Sequence, residues 1–138
     1  MPPPPGPDPT SLTPAEARLF ELINQARAEA GLNPLKINYT LVRLARIKSQ
    51  DMITNRYFGH VSPTYGRARD MVKAAGLSFK HVGECLAGTS KPDVAHAALM
   101  RSPGHRTHIL ASAYDEVGVG IAYGGPYGGM VTEIFLAR

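Results

Sequence analysis

The sequence predicts an α+β fold, and three observations carry that prediction. Apolar residues recur at helical spacing through the first half of the chain, two strand-like runs close it, and one helix-length segment separates those runs from an earlier strand. Helices gathered ahead of strands favour a layered α+β domain over the alternating units of a doubly wound sheet. The 138 residues amount to one domain, long enough to bury a core.

Residues 1–12 read as an extended Pro-rich linker, and the domain spans 13–138. Pro2 to Pro9 form neither a basic nor an apolar signal region, and Met1 ahead of them suggests a segment of a longer protein. Thr13 caps the first helix, Pro14 suits its first position and Glu16 completes a capping box. Leu19, Leu22, Ile23, Ala26 and Ala30 set its period, Gly31 stops it, and a helix over 14–30 follows. Asn33-Pro34 is a turn. A second helix, about 39–55, carries Leu41, Leu44, Ala45 and Met52 on one face, with Lys48, Gln50 and Asp51 off that stripe. A loop from Phe58 to Gly66 leads to a short helix, 67–75, ended by Gly76. Residues 78–87 read as a strand and 91–101 as a helix that Ser102-Pro103-Gly104 breaks; His105 to Leu110 form a brief helical turn. Glu116–Tyr123 and Met130–Leu136 are strands of one hairpin, joined by Gly124 to Gly129.

Composition excludes several classes. With 43% hydrophobic and 19% charged residues, the chain is neither disordered, coiled-coil nor collagen-like. Its apolar runs are too short for a transmembrane segment. The net charge is +4, but the arginines are spread along the chain, which argues against nucleic acid as a partner. The single cysteine, Cys85, excludes an intrachain disulfide and reads as a buried structural thiol, since no adjacent base marks a nucleophile. P-loop, HExxH and GxSxG motifs are absent. Gly118 and Gly120 read as thinning a buried strand where another backbone packs close.

The histidines carry more. His60 lies in Gly59-His60-Val61-Ser62-Pro63 and His105 follows Ser102-Pro103-Gly104, so rigid neighbours present both. Glu84, in the otherwise apolar Gly83-Glu84-Cys85-Leu86-Ala87, needs a partner if it is buried, and a histidine would serve. Two readings stand side by side: a structural hydrogen-bond network, or a reactive cleft in which His60, His105 and Glu84 hold a divalent metal such as zinc. His108 lies three residues after His105, so the two share a helical face; either both bind one metal, or one faces inward and the other solvent. Ser62 is a further cleft candidate. Glu133 alternates away from Thr132 and Ile134, and either lines a cleft or faces water.

These segments have a recognisable order. Leu22-Ile23-Asn24-Gln25-Ala26-Arg27, Gly59-His60-Val61-Ser62-Pro63, Gly83-Glu84, Ser102-Pro103-Gly104-His105 and Val117-Gly118-Val119-Gly120 together resemble the CAP superfamily of cysteine-rich secretory, antigen 5 and pathogenesis-related 1 proteins, also called the SCP domain. The short, disulfide-free form is similar to the bacterial branch often called YkwD-like. The resemblance covers 13–138. It implies a three-layer α-β-α sandwich with a central, mainly antiparallel sheet, and a secreted or envelope-associated protein. It also implies a cleft of two histidines and two acids that binds zinc in some members. His60 and His105 match the histidines, and Glu84 matches one acid. The helix from Asp93 to Met100 holds no Glu for the second, and Cys85 stands where Asn is usual.

Three functions follow as expectations. One is a secreted or envelope binding module whose cleft takes a divalent metal and an envelope or lipid ligand. Another is a zinc-assisted peptidase with Glu84 as general base. The third is a structural or interaction protein of the cell envelope or spore surface.

Overall fold

The fold begins where the sequence caps it. Thr13 Oγ1 accepts from Glu16 N and Glu16 Oε1 accepts from Thr13 N, opening helix α1, Pro14–Glu29. Strand β1, Lys36–Ile37, is too short to leave a periodic signal in the sequence. Asn38 caps α2, Tyr39–Thr54, through bonds from Thr40 N and Leu41 N. There follow α3 (Ala68–Ala74), β2 (His81–Ala87), α4 (Pro92–Arg101), α5 (Pro103–Ile109), β3 (Glu116–Tyr123) and β4 (Gly129–Ala137). This computed structural model describes residues 2–138, and Met1, at the head of the expected linker, lies outside the described residues. The segment expected to break after α4 is instead a corner. Ser102 ends α4, and Pro103 and Gly104 form the first turn of α5, where proline lacks only an N–H the helix does not use.

The strands form one sheet in the order β1-β3-β4-β2, antiparallel except for the β1–β3 pair. Alternation along β4 sorts its two faces. Val131, Phe135 and Ala137 join the core under α1, α4 and α5, whereas Ile134 and Leu136 join the core under α2 and α3. The result is the expected three-layer sandwich, with β2 as an edge strand.

One contact fixes the middle of the sandwich. A Cβ on Gly118 would collide with the backbone of Leu41 and Val42, and one on Gly120 with the backbone of Ala45 and Arg46. The two glycines let α2 rest its main chain directly on β3. Ser49 reinforces the seam by donating to Gly120 O at 2.9 Å. The stripe of Leu41, Leu44, Ala45 and Met52 is buried as expected. Lys48, Ser49 and Asp51, off that stripe, are buried too, because α2 is enclosed beyond the width of its apolar face.

Beyond its two residues of pairing with β1, the outer edge of β3 is closed by a side chain. Buried Glu16 accepts from Ile121 N at 3.2 Å and from the Arg46 guanidinium at 2.6 and 3.0 Å. Burial pushes its carboxyl upward, but these bonds outweigh it and hold the group ionised below the usual carboxylate value. The Pro-rich segment lies along α2. Asp8 accepts from Thr40 Oγ1 and Arg43 Nε, Pro4 O from Arg43 Nη1, and Ser11 O from Arg46 Nη2.

Glu133 departs from expectation. It neither lines a cleft nor faces water. It is wholly buried on the α1/α4/α5 side of β4, between Cys85 and Val119 in the strand register, and neither carboxylate oxygen has a hydrogen-bond partner. Burial alone raises its pKa to about 8.

Two predictions follow. Gly120→Ala is expected to destabilise the domain by about 2 kcal/mol or more, because the obstructing atoms are helix backbone; a urea midpoint equal to wild type would refute the close approach. For Glu133, both states hold the proton below the unfolded value near 4.5. Between there and about pH 8 only the unfolded state loses it, so stability falls by roughly 1.4 kcal/mol per pH unit. Glu133→Gln should remove that slope, and parallel stability curves for the two proteins across this range would contradict it.

Candidate functional site

The site is assembled from α2 outward. Asp51 accepts from Asn55 Nδ2 and Ser62 Oγ, both at 2.6 Å, and from the Tyr57 hydroxyl. Ser62 Oγ in turn accepts from the backbone of Thr64 and Tyr65. Lys48, 1% exposed, donates to Tyr57 Oη at 3.1 Å and sits over that ring. Burial lowers the pKa of Lys48 against the pull of Glu84 and Asp51, and burial raises that of Tyr57. Together these groups latch the loop after α2. Ser62 therefore serves the loop and does not line the cleft, because its hydroxyl is spent on Asp51 and on the turn.

The latched loop brings His60 to β2, where its Nδ1 donates to Glu84 Oε1 at 2.8 Å. That bond fixes the proton on Nδ1 and leaves Nε2 a free acceptor on a ring 49% exposed. Glu84 is 7% exposed as a residue, and its Oε2 is buried without a partner. Burial raises its pKa, opposed by His60 and by the charges of Lys48 and Arg67.

On the other side of β2, Gly83 leaves room for α5. A Cβ there would come within 2.5 Å of His108 Nδ1, which bonds Tyr114 Oη at 3.0 Å, and His108 stacks on Phe135. A cleft of about 460 Å³ therefore straddles the edge strand, walled by His60, Arg67, Arg69, Gly83, Glu84 and His108. His108, the secondary candidate, is in this wall. His105 is not: its Nδ1 bonds Ser102 Oγ at 2.9 Å, and its carbonyl accepts from the Cys85 thiol. Burial, reinforced by neighbouring histidines, lowers the pKa of both His105 and His108.

Among the described residues no three His, Cys, Asp or Glu side chains are grouped to hold a metal ion. Glu84 Oε1 is engaged by His60 Nδ1, and His105 bonds Ser102 Oγ through its Nδ1, so neither bond occupies the Nε2 of its histidine. Cys85 is buried and its thiol is pushed up by burial and by Glu133 and Glu84, so it is no nucleophile. Arg67, Arg69, Lys48 and Asp51 escaped the sequence reading. The available signal was polar residues at i, i+3 on α2, which alone does not distinguish a buried network from a solvated face.

A family model described as the cysteine-rich secretory protein family, CAP, matches residues 20–135. YkwD of Bacillus subtilis (strain 168), described as an uncharacterized protein, is 44% identical over 118 residues, 85% of this chain and 46% of that protein. YlbC of the same strain, described as an uncharacterized membrane protein, is 33% identical over 110 residues, 79% of this chain and 32% of that protein. The chain thus spans less than half the length of either relative. An extracellular SCP-domain protein from Bacillus anthracis superposes with a TM-score of 0.81 at 28% identity, over 94% of this chain and 45% of that one. An outer surface protein from Borrelia burgdorferi shares the fold at a TM-score of 0.81 and 21% identity, over 95% of this chain and 98% of that one.

Ser62→Ala should cost about 1–3 kcal/mol by taking one of its three donors from Asp51 and leaving the amides of Thr64 and Tyr65 unpaired. It should also loosen the ring of His60, read as faster exchange of its imidazole proton by NMR. Unchanged stability and exchange would break the link from α2 to the cleft.

Proposed function

The chain belongs to the cysteine-rich secretory protein (CAP) family, and from that membership and the geometry of the cleft we propose that it is an extracellular, envelope-associated binding module. One observation carries the reading. Glu84 Oε2 is buried and unpaired at the wall of an open cleft, beside a histidine whose free Nε2 is exposed. An unsatisfied buried acceptor costs free energy until a donor reaches it. A ligand bearing hydroxyl or amide donors supplies one, and Glu84 then accepts while His60 accepts beside it.

Binding is favoured over hydrolysis because the cleft pairs no nucleophile with a base. Ser62 is tied to Asp51, and Cys85 is buried with its thiol pushed up. The extracellular setting is supported by the description of the similar Bacillus anthracis protein.

Cosedimentation with walls purified from a Bacillus tests the proposal. The wild type should pellet with the walls, and His60→Ala and Glu84→Gln should release most of it while remaining folded. Equal pelleting of all three proteins would overturn the assignment of binding to this cleft. Zinc added to metal-stripped protein should leave Tm unchanged. A tight native-state ligand at 100 times its Kd would add about 2.7 kcal/mol, so a rise in Tm lost in both His60→Ala and His105→Ala would overturn the metal-free reading.

A further inference from the structure

We propose that the cleft extends into a phosphate-binding groove walled by Arg67, Arg69 and Lys73, so that the ligand of this module carries phosphate. The proposal rests on the binding reading above and names the chemistry of its ligand. Two observations carry it. First, the cleft at His60 and Glu84 is adjoined by a second cavity of about 640 Å³, and Arg67 and Arg69 line both. Lys73 lines the second, together with the short turn into β2 at Leu77, Ser78 and Phe79. Second, these cations are exposed, and none of the three forms a salt bridge among the described residues.

From Arg56 to Gly83 the sequence holds five Lys and Arg against a single acid, Asp70. Asp70 lines the second cavity, but one carboxylate oxygen is occupied by Arg67 N at 2.8 Å. Several of the arginines elsewhere are engaged. Arg18, Arg43, Arg46 and Arg138 each meet a carboxylate, and Arg27 is wrapped by backbone carbonyls. The fold therefore brings two of the arginines that look diffuse in the sequence, Arg67 and Arg69, side by side and without a salt bridge onto one groove, with Lys73 beside them; Arg56, Arg101 and Arg106 line neither cavity. Two guanidinium forks and an ammonium match the oxygens of a phosphate better than a single carboxylate, which they would overcharge. The remainder of the ligand, with its hydroxyls, lies toward His60, Glu84 and His108.

Calorimetry on the folded chain tests this. The probes are linear polyphosphate, polyglutamate, single-stranded DNA, and phosphatidylcholine vesicles with and without phosphatidylglycerol. Polyphosphate should bind, weaken with added salt, and lose about tenfold or more in Arg67→Gln and again in Arg69→Gln. Lys36→Gln removes one charge at a distant exposed site and should change nothing.

Binding of polyphosphate without vesicle recruitment assigns the phosphate to a soluble or wall polymer, and recruitment to phosphatidylglycerol vesicles assigns it to a lipid headgroup. The proposal is overturned if polyphosphate does not bind or if Lys36→Gln weakens it as much as Arg67→Gln. Polyglutamate or DNA binding as tightly through the same arginines would overturn it equally. Glu84→Gln separates the two readings. Wall binding that needs Glu84 without any polyphosphate affinity sinks the groove alone. Polyphosphate affinity that needs the arginines, with wall binding indifferent to Glu84, sinks the cleft reading alone.

Discussion

The backbone of α2 rests on Gly118 and Gly120, and most of the architecture follows from that contact. A helix kept a side chain's width from the sheet could not present Ser49 to Gly120 O or Arg46 to Glu16, which itself closes the bare edge of β3. Close packing also sets the burial of the helix's flanks. Lys48 and Asp51 leave solvent because α2 is sunk between β3, β4 and the loop that follows it. Their need for partners then latches Tyr57 and Ser62, and Ser62 sets the turn that delivers His60 to Glu84. The position of the cleft's histidine is thus a distant consequence of two absent side chains.

The two buried glutamates of adjacent strands show how partners decide what a carboxyl does. Glu84 and Glu133 are both pushed toward the neutral form by burial. Glu84 points to the α2 side at the edge strand, where His60, Lys48 and Arg67 offset the penalty and a cleft gives access. Glu133 points to the opposite side, one strand further in, where nothing offsets it. One lines a cleft with its cost offset, whereas the other is a fixed cost carried within the core. The edge position of β2 matters for the same reason. It alone lets side chains from the α3 layer and the α5 layer meet around a single strand.

Much of this was legible in the residues. Capping at Thr13, the apolar stripes, the terminal hairpin and the function of the paired glycines are local patterns, each fixed within a few positions of the chain. The pairing of His60 with Glu84 was legible as a need, since a carboxylate in an apolar strand requires a partner. Other features were not. Ser62 looked like a cleft residue, and the structure gives its hydroxyl to Asp51. His105 looked equivalent to His60, and the structure turns it to Ser102 and sets His108 in the wall. Glu133 had the right period for its face, but period does not tell which face is sealed.

What the sequence determined by itself was the set of elements, their order, the family they belong to and the chemical identity of the cleft's main polar groups. Those depend on periodicity, capping and short motifs, which act between near neighbours. The tertiary structure decided which polar groups are buried, which histidine shares a wall with Glu84, and which of the scattered arginines end up unpaired on one groove. Those outcomes are set by long-range packing around the α2–β3 seam, where residues far apart in the chain compete for the same hydrogen bonds and the same space.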